Sequence, residues 1–214
     1  ALTLHHATTD EVASVTVGGG ISDVGILDTH QVTIEWGDGT TDLIDVPFGG
    51  DAFSATHQYL DNNLSTTNGT AANANPLWIT VTDDDGFTVA TQWLVTVNNV
   101  APGLTVTKEG SGLTHTLVLT ATDPSAVDDA AGFDYFIDWG DGTSPEVIQR
   151  TSDNGSGTSA THIYTQTGSY PTRVTAADKD GGVSEEVATA VTAQVDTVTI
   201  AAELDDAVAA AVEA

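Results

Sequence analysis

Residues 114–122 alternate about the chain axis, placing Leu117 and Leu119 on one face of an extended segment and Thr116 and Val118 on the other. This period of two predicts a strand. Residues 31–36 and 133–139 read as central strands rich in Val, Ile and aromatics. Residues 77–82 and 170–176 read as strands leading into Asp-rich hairpins, with return strands over 87–97 and 183–195. Gly, Asp, Asn and Pro punctuate the intervals, the texture of an all-β chain. No helical period is expected before residue 200. There Leu204, Val208 and Val212 recur at four-residue intervals in an Ala-rich stretch, which allows a short helix. A helix of about fifteen residues is marginal in water unless it docks, and the alternative is a frayed tail.

The pattern occurs twice. Glu35-Trp36-Gly37-Asp38-Gly39-Thr40 is echoed by Asp138-Trp139-Gly140-Asp141-Gly142-Thr143, Thr56-His57-Gln58-Tyr59 by Thr161-His162-Ile163-Tyr164, and Asp83-Asp84-Asp85-Gly86 by Asp178-Lys179-Asp180-Gly181. Three collinear matches at a nearly constant offset indicate duplication. Pro102, which cannot donate to a ladder, marks residues 98–102 as a linker. The expected division is 1–98, 99–197 and a tail over 198–214. Leu2-Thr3-Leu4 then corresponds to Leu104-Thr105-Val106, and a start at Ala1 without an initiator Met or signal segment leads us to expect a processed or excised piece of a longer, repeat-bearing protein.

Composition narrows the function. With 214 residues and a hydrophobic content of 40%, the chain can bury two cores of ordinary size, and no apolar run approaches the ~20 residues of a membrane helix. Four Lys and Arg against 31 Asp and Glu give a net charge of -27, which repels nucleic acid and anionic membrane and attracts cations. Either the charge serves solubility, or particular Asp clusters hold divalent ions. The absence of Cys excludes disulfides and thiolate metal sites.

These motifs resemble the polycystic kidney disease (PKD) domain family, whose pattern is a Trp-Gly-Asp-Gly turn, His-x-Tyr, Gly-x-Tyr and an Asp-x-Asp-Gly hairpin. The second copy carries all four, including Gly168-Ser169-Tyr170, whereas the first has Asn75-Pro76-Leu77-Trp78 after a longer loop. The resemblance implies two tandem immunoglobulin-like β-sandwiches of an extracellular or cell-surface protein. Trp36 and Trp139 are expected between the sheets, and Asp38 and Asp141 accept N–H groups within their turns. His57 and His162, each paired in sequence with Tyr59 or Tyr164, read as packing residues, since one His per module makes a poor zinc site. His5 and His6 point to opposite faces of a strand and do not chelate together.

Immunoglobulin-like topology brings the loop before the motif strand, the Asp-rich hairpin and the incoming linker to one end. In the second copy this gathers Asp123, Asp128, Asp129, Asp134, Asp178 and Asp180 with Asn98 and Asn99. Such hard oxygen ligands suit Ca²⁺, and an ion there would stiffen the junction. The first copy offers a weaker set of Asp23, Asp28, Asp83, Asp84 and Asp85; against both stands the ordinary preference of Asp for turns. No nucleophile elbow or phosphate loop is present, so no enzymatic activity is expected. Asn63, Asn68 and Asn154 begin N-glycosylation sequons.

Two functions remain open. One is a structural or adhesive spacer or fibre subunit, with protein contacts that include self-assembly through residues 1–8 or the tail. The other is an accessory module of a secreted enzyme that recognises polysaccharide or protein. Aromatics make up only 6% and fall mostly at core positions, which favours the first, although Phe48, Phe53 and Trp93 have no assigned place.

Overall fold

The computed structural model describes residues 5–25, 27–62 and 69–195. The strand β1 (His5–Asp10) is followed by β2 (Ser14–Gly20), β3 (His30–Glu35), β4 (Thr41–Val46), β5 (Ala52–Gln58), β6 (Ala72–Asp83) and β7 (Thr88–Asn98). These form two facing sheets, one ordered β1-β7-β6-β3-β4 and one of β2 and β5. The second half runs β8 (Gly103–Ser111), β9 (Thr114–Thr122), a helix α1 (Ala126–Ala131), β10 (Asp134–Asp138), β11 (Glu146–Ile148), β12 (Thr158–Ile163), β13 (Gly168–Ala177) and β14 (Val187–Ala193). Its sheets are ordered β11-β10-β13-β14 and β12-β9-β8. The chain is all-β, two immunoglobulin-like sandwiches in tandem.

Each sandwich owns a core. In the first, Val17, Val32, Ile34, Trp36, Tyr59, Leu77, Val95 and Val97 pack together, and in the second Leu117, Leu119, Phe133, Tyr135, Ile137, Trp139, Tyr164 and Val191 do so. The β9 strand follows the expected alternation, with every second residue from His115 to Ala121 buried. Phe53 and Trp93, unassigned from sequence, are partly buried against the first core, whereas Phe48 is exposed.

The Trp-Gly-Asp-Gly turns are built alike. Trp36 is fully buried and donates from Nε1 to Asp42 at 3.0 Å, and Trp139 donates to Glu146 at the same distance. His57 stacks on Trp36 at 4.7 Å and bonds Asp38 Oδ2 at 2.7 Å; His162 stacks on Trp139 at 4.8 Å and bonds Asp141 Oδ2 at 2.8 Å. The tyrosine two residues on closes the knot, Tyr59 donating to the Trp36 carbonyl and Tyr164 to that of Trp139. Burying one Trp stabilises by roughly 4–6 kcal/mol at ~25 cal/mol per Å². The remaining bonds mainly keep its polar neighbours satisfied.

Several elements depart from expectation. The α1 helix is new; Ser125 caps it through the Asp128 N–H, and Gly132 ends it at positive φ. The β6 strand begins at Ala72, so Ala72 to Ala74 lie inside a strand rather than in the loop expected up to Ala74, whereas β14 begins only at Val187. Asn154 accepts from the Phe133 N–H and donates to its carbonyl, so this sequon asparagine holds two segments together instead of offering a free amide. The sequons at Asn63 and Asn68, Leu2 to Leu4, the His5 side chain and the tail helix lie outside the described residues.

Gly140 has φ +78, and a Cβ there would lie 2.7 Å from the Pro171 carbonyl, whereas Gly142, at φ +83, has open space. Gly142→Ala is expected to cost about 1 kcal/mol through backbone strain alone. Gly140→Ala adds a backbone clash and should cost at least about 2 kcal/mol, read as the second sandwich's urea midpoint.

Candidate functional site

The hairpin between β13 and β14 turns back onto the first sandwich. Asp178 shapes its tip, its Oδ1 accepting the N–H groups of Asp180 and Gly182 at 2.8 and 2.9 Å. Its Oδ2 accepts from Asn99 in the linker at 2.9 Å. A Cβ on Gly182 would fall 2.5 Å from that Asn99 amide nitrogen and 3.0 Å from Ala101, so only glycine lets hairpin and linker meet. The linker is tied to the other sandwich as well. Glu11, in the turn after β1, accepts the Val100 N–H at 2.7 Å and the Asn62 N–H at 3.2 Å.

Lys179 sits at the centre. Its ammonium is fully buried and reaches Asp61 of the first sandwich at 2.8 Å, Asp128 at the start of α1 at 3.0 Å, and its neighbour Asp180. One basic group thus pairs with three carboxyls, Asp61, Asp128 and Asp180, and Glu11, Asp123 and Asp178 lie near these acids. Glu11, Asp61, Asp128, Asp178 and Asp180 are all at most 4% exposed. The imbalance shows in their protonation. Burial pushes Glu11 up to about 7 and Asp123 up to about 7; burial outweighs the Lys179 bond to raise Asp128 to about 6, and Asp180 is raised for the same reason. Lys179, held by three carboxylates, is raised as well.

Oxygen atoms here exceed the donors. Asp123 Oδ2, Asp128 Oδ2, Asp180 Oδ1, Asn62 Oδ1 and Asn99 Oδ1 are buried without a hydrogen-bond partner. One oxygen from each of Glu11, Asp61 and Asp128 lies within 4.8 Å of the others, the one such group of three among the described residues. Buried oxygens without donors are rare, and oxygens of this kind are the ligands that a hard divalent cation takes.

The expected ligands divide accordingly. Asp123, Asp128, Asp178, Asp180 and Asn99 do converge. Asp129 is exposed and caps the Asp123 N–H, Asp134 is spent on the Arg150 N–H, and Asn98 donates to Asp10 at 3.1 Å. Glu11, Asp61, Asn62 and Lys179 come from outside the expected set. In the weaker set, Asp23 is taken up by the N–H groups of Val24 and Gly25 and by His30, and Asp83 by the Phe87 N–H. Mutual repulsion with Asp23, Asp83, Asp84 and Asp85 adds to desolvation in raising Asp28, but these side chains close no comparable group.

Two measurements probe this balance in metal-free protein. Lys179→Met leaves buried carboxylates unpaired and is expected to cost about 3–5 kcal/mol, read by urea unfolding. Glu11 and Asp123 have folded values above their ordinary ones, so their contribution to stability is complete below about pH 4 and is lost as the pH rises through about 7. The thermal midpoint without metal should therefore be higher at about pH 5 than at about pH 8; the reverse order would show these groups ionised and satisfied in the fold.

No curated protein matches the chain. Among solved structures, the PKD domain of an M14-like peptidase from a Thermoplasmatales archaeon is 27% identical, covering 44% of this chain and 93% of that one at a TM-score of 0.35. The PKD1 domain of Epp from Vibrio anguillarum is 19% identical over 46% of this chain and 99% of its own, at 0.34. A tetra-tandem repeat from the extending region of a large adhesion protein is 16% identical, covering 91% of this chain and 52% of its own at 0.46. The PKD domain family model matches residues 103–191, the span that carries the second Trp-Gly-Asp-Gly turn, the His-x-Tyr and Gly-x-Tyr steps and the Asp178 hairpin. The second sandwich thus matches the PKD domain family along nearly its whole length.

Proposed function

We propose that the chain is a non-catalytic extracellular spacer, two PKD-type sandwiches divided at residues 98–102 and braced at their junction by Ca²⁺. PKD domains typically occur in extracellular or secreted proteins and are generally non-catalytic modules. The first sandwich repeats the Trp, His, Tyr and Asp contacts of the second bond for bond, which supports a tandem pair. The observation that carries the reading is the buried, donor-poor carboxylate cluster that both sandwiches build together.

Glu11 and Asp61 from one side and Asp123, Asp128 and Asp180 from the other would hold the ion, with Asn62 and Asn99 supplying neutral oxygens. A doubly charged cation offsets the excess that Lys179 leaves and makes bending at the linker cost ligand bonds. Lys179 alone spans both sandwiches, so the junction persists without metal but opens more readily. The alternative of an accessory binding module draws on the exposed aromatics Phe48, Trp78, Phe87 and Phe136, which are divided between the two sandwiches.

Saturating Ca²⁺ at about 100 times its Kd is expected to add about 2.7 kcal/mol, seen as a raised thermal midpoint relative to chelated protein. Asp128→Asn should abolish most of that increment. A midpoint indifferent to Ca²⁺ after verified metal removal refutes the brace.

A further inference from the structure

The two sandwiches differ in where their first strand goes. In the second, β8 lies antiparallel beside β9, with Leu104 opposite Ala121 and Val106 opposite Leu119, and both side chains pack on the core. In the first, β1 crosses to the other sheet and pairs in parallel with residues 93–98 of β7. The β2 strand is left with β5 as its only partner among the described residues. The edge that no described residue pairs is the counterpart of the one β8 fills. The equivalence is fixed by the threonine pairs Thr16–Thr56 and Thr116–Thr161, each with hydroxyls 2.8 Å apart, which set Ile21 against Ala121 and Gly19 against Leu119.

At this edge the first core is open. A cavity of about 310 Å³ is lined by Gly20, Ile21, Val81, Phe87 and Val89 together with the polar Ser22, Asp23, His30 and Asp83. Val89 shares the inward face of β7 with Val95 and Val97; they are fully buried, yet Val89 is 60% exposed and Phe87 70%. An inward-facing aliphatic beside an unpaired strand edge is what remains when a sandwich lacks one strand. Leu104 and Val106 cover this position in the second sandwich.

We propose that this groove accepts, by strand addition, residues 197–200 of a second copy of the chain. Thr197-Val198-Thr199-Ile200 repeats the pattern of Leu104-Thr105-Val106, two aliphatics flanking a threonine. Their placement also repeats, because Val198 follows the end of β14 by five residues and Leu104 follows the end of β7 by six. The segment leaving one sandwich thus supplies the first strand of the next, within the chain and between chains. A copy cannot serve itself. Ala193 pairs with Gly168, at the opposite end of β13 from the junction hairpin, about 30 Å away. The open groove lies beside the Asp83–Gly86 hairpin, beyond the first sandwich, whereas the four residues from Ala193 to Thr197 span at most about 14 Å. The contact joins unlike surfaces and so propagates into chains of molecules. A charge of -27 opposes it, so salt should favour it.

This develops the fibre-subunit reading of the sequence and is tested with chelator present, so the outcome for calcium does not affect it. Light scattering after size exclusion should show dimers and longer species increasing with protein concentration, more at about 0.5 M than at about 0.15 M NaCl. Val198→Asp with Ile200→Asp removes the donor, and Val89→Asp blocks the acceptor at an exposed position; each variant alone should be monomeric with an unchanged circular dichroism spectrum. Mixed in equal amounts, they should form a dimer and nothing larger. Three results overturn the proposal: a wild-type chain monomeric throughout, association indifferent to both variants, or a monomer whose groove is filled by its own Leu2 and Leu4, revealed when Leu2→Asp with Leu4→Asp destabilises the first sandwich.

Discussion

An ammonium taken out of water must be met by negative charge, and at Lys179 both sandwiches supply it. Asp128 and Asp180 are its neighbours within the second sandwich, and Asp61 comes from the first. Separating the two would expose or unpair these charges together. The arrangement of linker, hairpin and loop follows: Glu11 fixes Val100, Asn99 fixes Asp178, and glycine at position 182 allows the close approach. The same arrangement leaves buried carboxyl oxygens without hydrogen-bond partners. One lysine orients the pair, but its single charge cannot neutralise six acids.

The duplicated frame was legible because it is local. Trp36 and Asp38, or His162 and Tyr164, lie a few residues apart, and their roles follow from turn geometry and strand alternation. The end of the second sandwich at which acids gather was legible too, because topology brings the hairpin and the loop before β10 together. Which of 31 acids would be buried was not. Glu11 reaches Val100 across 89 residues, and Asp61 meets a lysine in another sandwich; nothing in composition or spacing marks such distant partners. The α1 helix carried a signal that strand periodicity obscured, Ser125 at its cap and Gly132 at its end, but six residues are too few to establish a period of 3.6.

The two copies differ in their Asp-rich hairpins. Lys179 stands where the first copy has Asp84, and Gly182 where it has Phe87. The glycine lies under the linker and the lysine under the opposing loop, so both substitutions belong to an end that is covered. The first copy's end keeps its acids in open turns and exposes its phenylalanine. Duplication alone would have left equal ends. Their divergence follows from one being enclosed and the other facing solvent.

The crossing of β1 makes the same point for the backbone. Pairing in parallel with β7 brings Asp10 beside Asn98 and sets Glu11 directly under the linker, where its carboxylate takes the Val100 N–H. A first strand paired as β8 is would run along the other sheet and could not carry Glu11 to that position by the same route. The junction gains its clamp by pairing β1 with β7 rather than with β2, and among the described residues a β2 edge without a partner and an exposed Val89 on β7 accompany that choice. Rigidity between the sandwiches and an open acceptor edge at the distal end arise from one choice of strand pairing.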